Sequence, residues 1–276
     1  MPNTHSPKPE LEIAREIQQS FLPSTFPDVA GAEIAALMRP AYEVGGDFYD
    51  VIPLTLGRVG LLVGDISGKG VPAALYMALA RTLLRSHSLD TRARYLSDAL
   101  ESASVRQLMR SGSLGALAAL DSVSQTNNYL VAHHSQLSFF LTLFYGVYEP
   151  ASHLLTYVNA GHNPPLVYNT LSGQIAWLKP NDMVIGLMPG RPFTAQEQQM
   201  QPGDVLVIYS DGITEAFDPD HQLFGQERLV EAVRSPGLAS AGQFLQAIEA
   251  AVMAFAASTP QSDDITLLIL YCPPGS

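Results

Sequence analysis

The chain has 276 residues, enough for one large domain or two small ones to bury a core without disulfide support. Fifteen Lys and Arg against 26 Asp and Glu give a formal charge of -11, which argues against nucleic acid and anionic membrane as partners. Cys272, the single cysteine, has no intrachain partner and no signal segment opens the chain, so a reducing cytoplasm is the expected setting.

Residues 1–9 carry three prolines and no apolar period, and a disordered leader is expected there. Leu11, Ile13, Ala14, Ile17, Phe21 and Leu22 then recur near helical spacing until Pro23, which predicts a short amphipathic helix over Glu10 to Leu22. Strands are expected at 33–39, 48–54 and 59–66. Pro72 suits a first helical turn, and Leu75, Leu79 and Leu83 extend a helix through 73–86. Further helices are expected at 92–109 and 114–131. The stretch Ser122 to Tyr148 lacks Asp, Glu, Lys and Arg, but its first half is polar and the apolar remainder is too short to span a bilayer.

Strand patterns follow at 139–148, 153–159, 166–168, 174–178 and 205–209, separated by Asn, Gly and Pro turns. Helices at 226–233 and 241–257 and a strand at 265–271 close the chain. Strands arrive in runs rather than alternating singly with helices, which favours an α+β layering of antiparallel sheet and helix.

The carboxylates fall at strand ends. Asp47 follows Gly45-Gly46, Asp65 ends Leu61-Leu62-Val63-Gly64, Asp211 follows the 205–210 run, and Asp263 and Asp264 precede the last strand. If folding gathers those ends, two bare charges ~4 Å apart repel by about 4 kcal/mol at an effective dielectric near 20, so the cluster needs cations or protons. Oxygen donors without matched His or Cys select hard ions such as magnesium or manganese. Two such ions would supply the positive charge that an acidic phosphate-handling protein lacks. Asp beside Gly is also an ordinary turn former, and spacing alone leaves the two readings in balance.

Five strings carry a resemblance: Val44-Gly45-Gly46-Asp47-Phe48-Tyr49-Asp50, Gly64-Asp65-Ile66-Ser67-Gly68-Lys69-Gly70, Asn159-Ala160-Gly161-His162-Asn163-Pro164-Pro165, Tyr209-Ser210-Asp211-Gly212-Ile213-Thr214-Glu215-Ala216 and Ser262-Asp263-Asp264-Ile265-Thr266-Leu267. In this order, from about Glu10 to Leu270, the chain resembles the metal-dependent PPM protein serine/threonine phosphatases, in the bacterial branch of stage II sporulation protein E and the sigma-factor regulators. The resemblance implies an αββα sandwich of two antiparallel sheets flanked by helices, over residues 25–276, with 1–24 as leader and linker helix. It implies two Mn2+ or Mg2+ ions, with Asp47 and Asp65 as shared ligands, the Ile66 carbonyl contributing, Asp211 and Asp263 completing the set, and Asp264 as second choice beside Asp263. Ser67 stands where the eukaryotic branch has the histidine given the general-acid role. No general acid is assigned, and water is the simplest proton source.

Gly64 to Gly70 is one residue short of a P-loop and ends in Gly rather than Ser or Thr, so Lys69 reads as a turn residue before a phosphate contact. Arg39 is the other cationic candidate for phosphate. His162 is expected to fix its loop, His133-His134 to lie at the surface, and Trp177, Phe139, Phe140 and Phe144 to pack in the core.

The expected function is a phosphoserine/phosphothreonine protein phosphatase. By resemblance its substrate is a phosphorylated STAS-type anti-sigma-factor antagonist, an upstream sensor or activator protein supplies the signal, and the helix at 10–22 takes part in a homodimer. A catalytically silent partner-binding regulator, which should show a broken ligand position, and a small-molecule phosphoesterase are the rival expectations.

Overall fold

Two five-stranded antiparallel sheets lie face to face in a computed structural model that describes residues 10–101 and 113–275. The elements run α1 (Glu10–Phe21), β1 (Glu33–Arg39), β2 (Phe48–Pro53), β3 (Val59–Ile66), α2 (Gly70–Glu101), α3 (Ser113–His134), β4 (Leu141–Glu149), β5 (Leu154–Ala160), β6 (Leu166–Asn169), β7 (Ile175–Trp177), β8 (Gln196–Gln199), β9 (Asp204–Tyr209), α4 (Asp211–Thr214), α5 (Gly225–Val233), α6 (Ala241–Ala256) and β10 (Ile265–Tyr271). One sheet has the order β1-β10-β9-β6-β7 and the other β2-β3-β4-β5-β8. Helices α2 and α3 cover the second sheet, and α6, backed by α5, covers the first. The α+β sandwich expected from the sequence is the architecture observed.

The strands read as nearly continuous apolar runs because both faces are covered. In β10 all seven residues are buried: Leu267, Ile269 and Tyr271 face the α5–α6 layer, while Leu268 and Leu270 face the other sheet with Leu61, Val63 and Phe144. On β3, Leu62 and Ile66 face α2 and α3 instead. Each fully buried aliphatic side chain contributes on the order of 2 kcal/mol, so the strand ends inherit a rigid platform.

Three expectations are corrected. The helices expected at 73–86 and 92–109 are joined in α2 as far as Glu101, since no Gly or Pro interrupts 73–101; residues 102–109 lie outside the described residues. Strand β8, with the sequence Gln-Glu-Gln-Gln, was not anticipated. It is an edge strand paired only with β5, where polar side chains suffice and guard the free edge. Helix α1 forms where expected, but its apolar residues Leu11, Ile13 and Ile17 stay exposed, and the residue it buries is Gln18.

The aromatic expectations fare better. Phe144 is fully buried, Phe139 and Trp177 are partly buried against the two helix-covered cores, and Phe140, expected in the core, is only half-buried. His133 and His134 end α3, with their rings against Tyr129. Among the described residues no helix is long and apolar enough to cross a membrane.

Candidate metal centre

The site lies where both sheets end together. In the second sheet, β2 and β3 pair with Phe48 opposite Gly64, which brings Asp47 beside Asp65. In the first, β9 and β10 pair with Tyr209 opposite Leu267; Ser210 donates its amide to the Thr266 carbonyl at 3.0 Å, and Asp211 turns into α4 beside Asp263. Glycine makes the approach possible. A Cβ on Gly212 would overlap the Asp264 backbone, and one on Gly45 would overlap the Asp264 carboxylate.

Asp264 joins the two halves. Its Oδ1 accepts the Ala41 amide at 2.8 Å, and its Oδ2 accepts the Gly46 and Asp47 amides at 2.7 and 3.3 Å. Both oxygens are thus taken by backbone donors, which makes Asp264 the organiser of the Gly45–Asp47 turn. Sequence reasoning gave it only a second-choice ligand role, and a side chain that binds amides of the segment before β2, more than two hundred residues away, leaves no signature in the sequence.

The other carboxylates crowd one another. Burial pushes the Asp47 carboxyl well above its usual range, and the charges of Asp65 and Asp264 push it further; the Ser210 and Thr266 hydroxyls oppose this. Asp65 is pushed up to about 7 by burial and by Asp211, Asp263 and Asp264, against a hydrogen bond from Asp47. Burial also raises Asp211, with Asp263 and Glu215 adding to it and the Gly212 amide and Lys69 opposing it. Asp47 Oδ2 is buried with no hydrogen-bond partner. A buried carboxylate oxygen without a donor is costly, and a cation is the natural way to satisfy it.

The donor set fits hard divalent ions: carboxylate oxygens throughout, with the Ile66 carbonyl near enough that a Cβ on Gly46 would lie 2.8 Å from it. The carboxylates are neighbours rather than a closed cage. Among the described residues no three His, Cys, Asp or Glu side chains are gathered tightly enough to enclose one ion. Lys69 lies over the edge of the cluster, with its ammonium 2.7 Å from Asp263 Oδ2 and 2.7 Å from the Ser262 carbonyl. Arg39, the other phosphate candidate, begins beside the site opposite Ile265, but its guanidinium is bound to Glu249 of α6 at 2.5 Å.

Three motif residues are engaged elsewhere. Asp50 is buried against α2, paired with Arg81 at 2.9 Å and Arg85 at 2.7 Å. His162 is buried with Nδ1 2.9 Å from the Thr142 hydroxyl, its amide donates to Asn159 Oδ1, and burial lowers its pKa to about 4. Ser67 exchanges two hydrogen bonds with Phe140: its amide donates to the Phe140 carbonyl, and its Oγ accepts the Phe140 amide.

A family model described as Stage II sporulation protein E (SpoIIE) matches residues 55–273, most of the chain, from β3 to the end of β10. The chain belongs to that family. Protein IcfG of Synechocystis sp. is 33% identical to this SpoIIE-family chain over 270 residues, 95% of the chain and 41% of that protein. Phosphoserine phosphatase RsbU of Bacillus subtilis is 27% identical over 208 residues, 75% of the chain and 54% of that protein. The chain therefore spans about half the length of these curated relatives. The SiaA-PP2C domain of Pseudomonas aeruginosa shares the fold, with a TM-score of 0.74 at 21% identity over 95% of each chain.

Proposed function

We propose that the chain is a metal-dependent phosphoserine/phosphothreonine protein phosphatase acting in the cytoplasm. The observation that carries this is the orphaned, buried Oδ2 of Asp47 within a cluster of mutually repelling aspartates at the shared edge of two sheets. Membership of the SpoIIE family and similarity to a protein named phosphoserine phosphatase support it.

Asp47 and Asp65 would be shared between two magnesium or manganese ions, with the Ile66 carbonyl, Asp211 and Asp263 completing the donor set. When bound, such ions activate water at neutral pH and offset the negative charge that develops on a phosphoryl group. The protein's part is to hold the donors. Asp264 fixes the turn that carries Asp47, the β2–β3 register fixes Asp65, and the N-terminus of α4 fixes Asp211. Lys69 can exchange Asp263 for a substrate phosphate oxygen, whereas Arg39 must first leave Glu249. His162 is neutral at pH 7, buried and engaged by Thr142, and Ser67 is held by Phe140, so the leaving oxygen takes its proton from water.

The substrate fitting this reading is a phosphorylated STAS-type antagonist of an anti-sigma factor, with a sensor or activator protein upstream and a homodimer through α1. A silent regulator would have a broken ligand position, and Asp47, Asp65, Asp211 and Asp263 are all present.

The test is hydrolysis of p-nitrophenyl phosphate and of a phosphoserine protein with manganese, magnesium, calcium or chelator, beside Asp211→Ala. Turnover that requires manganese or magnesium and is lost in the variant is expected. Equal turnover in chelator, or in Asp211→Ala, would reject the assignment.

A further inference from the structure

Helix α1 lies against α2 through Ala14 and Phe21, and is tied to the β1–β2 segment by polar contacts. Its apolar residues Leu11, Ile13 and Ile17 are about half exposed, at 44%, 44% and 54%, while Gln18 is 5% exposed. The Gln18 carboxamide grips both backbone groups of one residue: Nε2 donates to the Gly45 carbonyl at 2.6 Å, and the Gly45 amide donates to Oε1 at 3.1 Å. One turn earlier, Arg15 Nε donates to the Glu43 carbonyl at 3.0 Å. Both tethers land on the segment between β1 and β2, which contains neither helix nor strand.

That segment needs external holding. Glycine at 45 and 46 gives it little conformational preference of its own, and a side chain at 45 is excluded by Asp264. Asp264 takes the amides of Gly46 and Asp47 from one side, and the Gly46 carbonyl accepts the Ile66 amide at 3.4 Å. The Gly45 residue itself is satisfied by Gln18. A carboxamide is the side chain that offers a donor and an acceptor in one plane; Glu offers acceptors alone and Leu neither.

We propose that Gln18 is a positioning residue, whose grip on Gly45 holds the Gly45–Asp47 turn so that the Asp47 carboxylate stands in ion-binding geometry. The inference rests on reading Asp47 as an ion ligand. Gln18 touches neither ion nor substrate; it acts through two backbone hydrogen bonds, from a helix outside the sandwich.

The experiment compares the full chain with its Gln18→Leu and Gln18→Glu variants in three measurements. These are manganese affinity by calorimetry, amide hydrogen exchange of the metal-free protein, and p-nitrophenyl phosphate kinetics at saturating manganese. Expected are a manganese dissociation constant raised at least tenfold in both variants, Gly45 exchange accelerated at least tenfold with β10 unchanged, and KM within twofold of the parent. A purely structural role would lower the melting temperature and leave the affinity of the folded protein alone. Manganese affinity within twofold of the parent in a folded variant overturns the proposal; if Gln18→Leu does not fold, Gln18→Asn, too short to reach Gly45, gives the same decision. A parent chain that binds manganese without hydrolysing any phosphoester overturns the phosphatase reading, while the variant affinities still decide the role of Gln18. A parent that binds no manganese overturns both.

Discussion

Asp264, at the foot of β10 in one sheet, accepts the amide of Gly46, at the mouth of β2 in the other, at 2.7 Å. The same carboxylate also takes the amides of Ala41 and Asp47, so one side chain fixes the turn at the junction of both sheets. Asp264→Ala should lower unfolding free energy by about 3 kcal/mol, the cost of stranding buried donors that had a charged acceptor. A denaturant melt of the metal-free protein measures it, and a loss below about 1 kcal/mol would show that the turn holds itself.

Lys69 and Asp263 form an exposed ion pair at the rim, with side chains 48% and 38% accessible. Such pairs contribute roughly 0.2–1 kcal/mol. Lys69→Met should therefore leave the melting temperature nearly unchanged and, by freeing Asp263, lower the manganese needed for half-maximal turnover by roughly threefold. An unchanged metal requirement would mean that Lys69 does not compete for Asp263, and a raised KM for the phosphoserine protein would show the phosphate contact.

His162 gives a pH signature separate from the carboxylates. Its folded pKa, about 4, lies below the ordinary 6.5 because burial disfavours the imidazolium. Between these values the unfolded chain binds the proton and the folded chain does not. Stability therefore falls as pH drops from about 6.5 toward 4, by about 1.4 kcal/mol per pH unit at most. His162→Gln should remove that slope, read as the difference between parent and variant in urea melts from pH 7 to 4.5. Parallel curves would mean that His162 protonates without cost.

Asp50 shares the Gly-Gly-Asp-Phe-Tyr-Asp string with Asp47 but serves the other face of the sheet. Asp50→Ala leaves Arg81 buried without its partner, which should cost about 3–5 kcal/mol. Metal affinity of the folded fraction should stay within twofold of the parent. A selective loss of metal binding with unchanged stability would place Asp50 in the centre instead.

Much of this protein was legible in its sequence. The boundaries of β1, β3 and β10 matched their apolar runs to the residue, because strands covered on both faces leave hydrophobic segments sharply cut by polar turns. Asp47, Asp65, Asp211 and Asp263 stood out because each lies at the end or mouth of a strand, the first three beside glycine. Strand β8 did not, since an edge strand needs no apolar pattern. The fused α2 was missed because Ser, His and Asp near residue 90 are weak helix formers that neighbouring packing overrides.

What each polar side chain does was decided only by tertiary structure. Asp263 and Asp264 are adjacent and chemically identical, yet one pairs with Lys69 at the surface while the other is buried under three amides from a segment more than two hundred residues away. Asp47 and Asp50 lie in one string, yet one is left with an orphaned oxygen and the other is matched by two arginines. Gln18 is a polar residue on an amphipathic helix, yet it is the one that the helix buries. Sequence determines which groups carry charge and which segments must be buried, because those follow from local chemistry and period. Which carboxylate meets an amide, an arginine or an open coordination site depends on distances between strands remote in the chain, and those exist only once the two sheets have closed on each other.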